Sequence, residues 1–390
     1  MNDEETKPVV LAVDDTPENL DVVKGILVPA YKVKAVTSGE MALKLAARQP
    51  PDIILLDIMM PEMDGYEVCR RLKADPATAG IPVIFLTAKD QTADEAEGFA
   101  LGAADYIHKP VNPPILQARV DTHVALKKSM DELQALSRAL AAAKQRMEIE
   151  LNVGRDIQQS MLPEEGPQPA EIALAASMDA AREVGGDFYD YFPLSDDEYC
   201  FCVADVSGKG VGAALFMAMT KLLIKSRAQD DRLPSKILTR VNADLAADNP
   251  ECMFVTVFLG VINLRSGEIS YTNAGHNPPL LRRADGTVAE VDAQHGPVLG
   301  IEEDREYGQG SFVLGQGEVL LVFTDGVTEA MDIADQPYSD ERLLALVENL
   351  DQPSPAQLLT AVRTSVDEFA QGAEQADDIT MISLQFKGSE

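Results

Sequence analysis

Five aspartates stand at the ends of apolar runs, the last four beside small residues, and that placement suits phosphate chemistry. Asp57 closes the run Ile53-Ile54-Leu55-Leu56-Asp57. A carboxylate at a strand end can accept a phosphoryl group. Asp187, Asp205, Asp325 and Asp377 lie much further along. Asp187 follows Gly185-Gly186, and Asp205 stands in Ala204-Asp205-Val206-Ser207-Gly208-Lys209-Gly210. Asp325 stands in Phe323-Thr324-Asp325-Gly326-Val327-Thr328-Glu329-Ala330, and Asp377 in Ala376-Asp377-Asp378-Ile379-Thr380. Hard oxygen ligands without nearby histidines favour Mg²⁺ or Mn²⁺ over zinc. Two such ions a few ångströms apart can bridge a water, lower its pKa and aim it at phosphorus. Adjacent glycines let the backbone approach ions or phosphate closely.

Further residues could serve the first aspartate. Asp14-Asp15 end the first apolar run, Thr87-Ala88 the run Ile81 to Leu86, and Lys109-Pro110 follows the weak run Ala104-Asp105-Tyr106-Ile107. Together they offer a carboxylate cluster for Mg²⁺, with a hydroxyl and a lysine for the remaining phosphoryl oxygens. One aspartate at a strand end is ordinarily a cap or turn residue; the whole set at these spacings is not so explained. His276, in the loop Asn273 to Pro279, reads as turn-stabilising, with general acid as the alternative. His108, His123 and His295 read as surface or packing residues. Arg182 and Lys209 are candidate phosphate contacts, with a salt bridge and a local cap as their plainer roles. Val184-Gly185-Gly186-Asp187-Phe188 lacks the glutamate of a GGDEF signature, and Gly208-Lys209-Gly210 lacks the full spacing of a P-loop.

The elements that must carry these residues fall into two patterns. Up to about residue 120, apolar runs (Val9 to Val13, Asp52 to Leu56, Ile81 to Leu86) alternate with helical segments such as Pro17 to Leu27 and Glu40 to Ala47. Strands alternating with helices imply a doubly wound parallel sheet, which binds ligands beyond the carboxyl ends of its strands. From about residue 163 the strands are longer and grouped. They are expected at Glu171 to Ser177, Asp187 to Pro193, Tyr199 to Val206, Met253 to Leu264, Ile269 to Ala274, Glu318 to Asp325 and Ile379 to Phe386. Helices are expected at Val211 to Arg227, Pro234 to Ala247, Asp340 to Asn349 and Pro355 to Ala370. That grouping predicts an α+β fold, a β-sandwich flanked by helices.

Between the two lies a long helix. From Pro114 to Met161 no proline follows the first residue, and good helix formers dominate. Leu126, Met130, Leu133, Leu140, Met147 and Leu151 form a heptad-like seam, widened by Leu136 and Ala143 and interrupted by Ser137 and Lys144. The seam predicts a coiled coil and hence a homodimer; a helix packed on its own domains is the alternative. At about 1.5 Å per residue it could span several tens of ångströms as a rigid coupler. Asp156 to Pro163 ends it, and Glu164-Glu165-Gly166-Pro167-Gln168-Pro169 breaks the chain. The expected domains are 7–120, 121–162 and 163–390.

Composition narrows the classes. The 390 residues carry 64 acidic and 33 basic side chains, a formal charge of -31. That argues against nucleic-acid or anionic-membrane partners, which require basic surface. No apolar run approaches the roughly 18 residues of a membrane span. The acidic start Met1-Asn2-Asp3-Glu4-Glu5 lacks signal-peptide character, so a cytoplasmic protein is expected. Cys69, Cys200, Cys202 and Cys252 form no CxxC pair and read as buried, reduced thiols.

At Asp14-Asp15, Asp57, Met60-Pro61, Met63-Asp64-Gly65, Thr87, Tyr106 and Lys109-Pro110, the first region resembles the CheY-like receiver domain of bacterial response regulators. The resemblance implies that Asp57 is the phosphoacceptor. Asp14, Asp15, Asp57 and the Met59 carbonyl would bind Mg²⁺. Thr87 and Tyr106 would be the switch pair, Lys109 a phosphoryl contact, and Lys109-Pro110 a cis bond. The four later aspartates and Asn273-Ala274-Gly275-His276-Asn277-Pro278-Pro279 resemble the metal-dependent type 2C protein phosphatases of the SpoIIE/RsbU branch. That resemblance implies two Mn²⁺ or Mg²⁺ ions. Asp187, Asp205 and the Val206 carbonyl would hold one; Asp205, Asp325 and Asp377, or Asp378 in its place, would hold the other. It further implies a phosphodonor such as a sensor histidine kinase, and a phosphoserine or phosphothreonine substrate on an anti-sigma-factor antagonist in a partner-switching pathway. The rival expectation is a non-catalytic, sigma-factor- or adaptor-binding response regulator. A degenerate domain of that kind should have lost an aspartate, and this chain keeps all four. A DNA-binding output fails because no basic helix-turn-helix segment is evident.

Overall fold

A computed structural model describes residues 7–88, 98–163 and 168–388. The acidic start and residues 164–167 of the Pro/Gly-rich break lie outside the described residues. The chain divides into two compact units, 1–143 and 144–390.

The first unit is built on five parallel strands: β1 (Val9–Val13), β2 (Lys32–Val36), β3 (Ile53–Asp57), β4 (Val83–Ala88) and β5 (Asp105–Lys109). Their order is β2-β1-β3-β4-β5. Strand β3 is buried along its whole length, as expected of a central parallel strand covered on both faces. One face packs Leu11, Ile54, Leu56 and Phe85 against α2 (Gly39–Arg48) and α3 (Gly65–Ala74). The other packs Val10, Leu55 and Ile84 against α1 (Pro17–Leu27) and Leu116, Val120 and Val124 of the long helix α4 (Pro113–Met161). The doubly wound sheet predicted from the apolar runs is thus present. Strand β2 escaped the sequence reading because only Val36 of it is fully buried, leaving little apolar signal at a sheet edge.

Helix α4 is continuous over 49 residues. The seam residues Leu126, Met130, Leu133, Leu136, Leu140 and Met147 are 54% to 69% exposed. Among the described residues, no helix is long and apolar enough to cross a membrane.

The second unit contains two antiparallel five-stranded sheets. One is ordered β13 (Gly310–Val313), β10 (Glu268–Ala274), β9 (Val255–Asn263), β8 (Glu198–Val206), β7 (Phe188–Pro193). The other is ordered β12 (Val288–Glu290), β11 (Leu280–Arg282), β14 (Val319–Phe323), β15 (Ile379–Phe386), β6 (Ile172–Asp179). Phe201, Val203, Phe258 and Ile262 meet Leu174, Val322, Ile382 and Leu384 to form the core between the sheets. The outer faces are covered by α5 (Val211–Asp230) with α6 (Pro234–Ala247), and by α7 (Asp340–Asn349) with α8 (Pro355–Ala370). The predicted sandwich flanked by helices is what forms. The short strands β11 to β13 were not anticipated, since runs of three or four residues carry no measurable periodicity. Cys69, Cys200 and Cys202 are buried as expected; Cys252 is exposed, in a loop with positive φ after α6.

Candidate functional site

Two carboxylate clusters form, one in each unit. In the first, the parallel register brings Asp57, Thr87 and Lys109 to the carboxyl end of the sheet, with Asp57 opposite Leu86 and Lys109 opposite Ala88. Lys109 Nζ donates to Asp14 Oδ2 and to Asp57 Oδ1, each at 2.7 Å. Asn19 Nδ2 and the Thr16 amide also donate to Asp14. Ligand oxygens of Asp14, Asp15 and Asp57 all lie within 4.8 Å of one another. Burial pushes the Asp57 carboxyl above its ordinary range, with Lys109 opposing. Burial acts against the charge on Lys109, but Asp14 and Asp57 outweigh it and hold its ammonium more firmly charged than usual. Three carboxylates facing one lysine leave surplus negative charge, a donor set that fits a small divalent cation.

The other receiver-like positions are placed less uniformly. Thr87 is buried, its hydroxyl 3.3 Å from the Ala88 carbonyl. Tyr106 packs inward between Phe85 and Phe99, with ring centroids 5.5 and 4.9 Å away. The Met59 side chain is exposed. Lys109-Pro110 is cis.

In the second unit, the aspartates gather at one end of the sandwich. Asp187 immediately precedes β7 and Asp205 is the penultimate residue of the antiparallel partner β8. Asp325 follows β14, and Asp377 and Asp378 precede its partner β15. The motifs' glycines are explained by contact. A Cβ on Gly186 would sit 2.9 Å from the Val206 carbonyl, and one on Gly326 only 1.9 Å from the Asp378 carbonyl.

The carboxyls perturb one another. Burial, then Asp205 and Asp378, push Asp187 well above the ordinary carboxylate range. Burial also raises Asp205, with Asp377 and Asp378 adding to it. Asp325 is pushed up to about 6 by burial, then by Asp205, Glu329 and Asp377. Such crowding is costly without compensating positive charge, so this donor set too fits hard divalent cations. The cluster is looser than the first: no three of its carboxyls bring ligand oxygens within 4.8 Å of one another.

Asp377 and Asp378 differ in their surroundings. Asp378 is buried; its Oδ1 accepts from the Ala181 amide at 2.8 Å and its Oδ2 from the Gly186 amide at 2.6 Å. Asp377 is part-exposed and pairs with Lys209 at 2.9 Å. His276 is buried inside its loop, with Nδ1 2.9 Å from Thr256 Oγ1 and its backbone closed by Asn273. Burial pushes its ring down to about 3, so the turn-stabilising reading fits this neutral, enclosed residue. Arg182 is exposed on the loop before Asp187.

Three features were invisible in sequence. Thr324 Oγ1 donates to Asp187 Oδ2 at 2.8 Å and accepts from the Thr380 amide at 3.0 Å. Gln158, near the end of α4, clamps Gly185 from both sides: its Nε2 donates to the carbonyl and its Oε1 accepts from the amide. Arg155 donates to the carbonyls of Arg182 and Glu183. The only advance signal was that Thr324 directly precedes Asp325.

With this geometry in hand, the comparisons with known proteins are specific. Residues 10–121 match the response regulator receiver domain, and residues 195–387 match the Stage II sporulation protein E family. The chain therefore carries a receiver domain followed by a SpoIIE-family domain, whose fold is PP2C-like. Domains of the second kind are metal-dependent, and receivers bind Mg²⁺. A "Probable cyclic di-GMP phosphodiesterase" of Vibrio cholerae is 50% identical over 124 residues, 32% of this chain and 28% of that protein. Phosphoserine phosphatase RsbU of Bacillus subtilis is 31% identical over 191 residues, 49% of this chain and 56% of that protein. The chain thus spans little more than half, or less, of the curated relatives it matches. The solved SiaA-PP2C domain of Pseudomonas aeruginosa superposes with a TM-score of 0.56 at 22% identity, covering 63% of this chain and 99% of that one. At that identity the likeness is one of fold.

Proposed function

We propose that this chain is a response regulator, phosphorylated on Asp57, that controls a metal-dependent phosphoserine/phosphothreonine protein phosphatase. Residues 7–120 act as the receiver, 121–162 as the helical linker and 163–390 as the phosphatase. The observation that carries the reading is the convergence of Asp187, Asp205, Asp325 and Asp377 on one end of the sandwich, with the carboxyls of Asp187, Asp205 and Asp325 pushed up by burial and by neighbouring carboxylates. Asp187, Asp205 and the Val206 carbonyl hold one ion, and Asp205, Asp325 and Asp377 the other. Bound divalent cations would supply a water of lowered pKa and neutralise charge on the phosphoryl oxygens. The chain's own part is positional. Thr324 orients Asp187, and Asp378 gathers the 181–187 loop against the site.

In the receiver, Asp14, Asp15, Asp57 and the Met59 carbonyl hold Mg²⁺, Lys109 steadies the phosphoryl group, and Thr87 and Tyr106 respond to it. The end of α4 is the route to catalysis. Gln158 and Arg155 grip the segment leading into Asp187, so a change in that helix reaches Asp187 through hydrogen bonds to the backbone of residues 182, 183 and 185. Likeness to a phosphoserine phosphatase of Bacillus subtilis supports a phosphoserine substrate. The substrate class we assign is an anti-sigma-factor antagonist of a partner-switching pathway, with a histidine kinase or other phosphodonor upstream.

The test is Mn²⁺-dependent phosphate release from a phosphoserine-bearing antagonist protein, with and without beryllofluoride as the mimic of phosphorylated Asp57. Metal-dependent release that changes with beryllofluoride is expected. Release indifferent to it would remove receiver control of catalysis. Full activity in Asp205→Ala would overturn the two-ion assignment.

A further inference from the structure

Lys209 is the cation set into the acidic cluster. Its Nζ lies 2.9 Å from Asp377 Oδ2 and also donates to the Ala376 carbonyl. Among the described residues, Asp187, Asp205, Asp325 and Asp378 form no ion pair with a basic side chain, so this is the pair the cluster makes. Lys209 stands in the turn from β8 into α5, between Gly208 and Gly210, with φ of 87° and 83°. A Cβ on either glycine would meet nothing within 4 Å. Nothing packs against the turn at those two positions; Ser207 ties its start to Phe254, and the lysine's contacts with residues 376 and 377 join it to the cluster.

An ammonium and a divalent cation have the same use for Asp377 Oδ2. The carboxylate's other oxygen already accepts from the Asp378 amide. We propose that Lys209 is a resident counter-ion of the outer cation position. It neutralises Asp377 while that position is unfilled, and it must leave before the carboxylate can bind a divalent ion. This rests on the two-ion reading above. Its consequence is unequal filling. The position built on Asp187 and Asp205 fills without displacing any ammonium, whereas the position using Asp377 fills against the lysine. Lys209 thereby sets the divalent-ion concentration at which the site becomes complete.

The experiment is calorimetric titration of the full chain with Mn²⁺, comparing wild type with Lys209→Met, Lys209→Arg and Asp377→Ala. The step missing in Asp377→Ala identifies the outer position, separately from the receiver pocket. That step is expected to be about fivefold tighter in Lys209→Met, the scale of a part-exposed ion pair. Lys209→Arg, which keeps the charge, should behave as wild type. A second readout needs no affinity: reductive methylation followed by mass spectrometry should label Lys209 faster once Mn²⁺ is saturating, with surface lysines such as Lys44 unchanged. Equal or weaker outer binding in Lys209→Met would overturn the counter-ion role while leaving the two-ion reading intact. A wild-type chain with no step sensitive to Asp377→Ala would overturn that reading, and this inference with it.

Discussion

Asp377 and Asp378 are adjacent and chemically identical, yet their neighbours give them different work. Asp378 commits both oxygens to backbone amides of residues 181 and 186. Asp377 faces the cluster from a part-exposed position. Removing Asp378 orphans buried amides of the 181–186 segment, a loss of about 2 kcal/mol; removing Asp377 frees only the part-buried amide of its neighbour Asp378. Asp378→Ala is therefore expected to lower stability by about that amount in urea unfolding, while Asp377→Ala leaves the unfolding midpoint nearly unchanged but abolishes metal-dependent activity. Equal midpoints for the two variants would mean that Asp378 is not the loop's anchor.

At the scale of elements, the sandwich presents its functional residues from strand ends, and the helices around it fix where those ends lie. The buried pair Lys221–Asp190 joins α5 to β7, three residues beyond Asp187. Breaking one side of such a pair leaves an uncompensated charge in the core. Lys221→Met is expected to destabilise the chain by about 3 kcal/mol. Lys221→Met combined with Asp190→Asn should recover part of that loss, since neither charge then remains. A double variant as unstable as the sum of both single ones would show that the two side chains act independently.

At the scale of the whole molecule, the exposed seam of α4 is the feature a single chain leaves unused. Six large apolar side chains between Leu126 and Met147 are more than half exposed, a pattern that costs solubility unless it is covered. Pairing of two α4 helices through this seam predicts twice the chain mass by light scattering. Leu133→Glu with Leu140→Glu should give the single-chain mass. A dimer that survives both substitutions would place the self-association elsewhere.

Much of this was legible in the residues themselves. Buried parallel strands read as unbroken apolar runs, and α1, α6, α7, α8 and β15 begin and end where capping residues, prolines and periodicity mark them. The candidate aspartates were legible for a similar reason: a carboxylate at the end of an apolar run is costly unless it has work to do. The sequence could not choose between Asp377 and Asp378, because adjacent carboxylates are distinguished only by amides from a segment almost two hundred residues away. Nor could it reveal Thr324 beside Asp187, Gln158 around Gly185 or Lys209 on Asp377. Each of those contacts joins residues far apart in the chain, and no local periodicity records them. Composition and spacing determined which elements form and what chemistry their ends can support. Only the packing of two sheets and their helices decided which carboxylate is anchored by backbone amides, which stays part-exposed, and which lysine pairs with it.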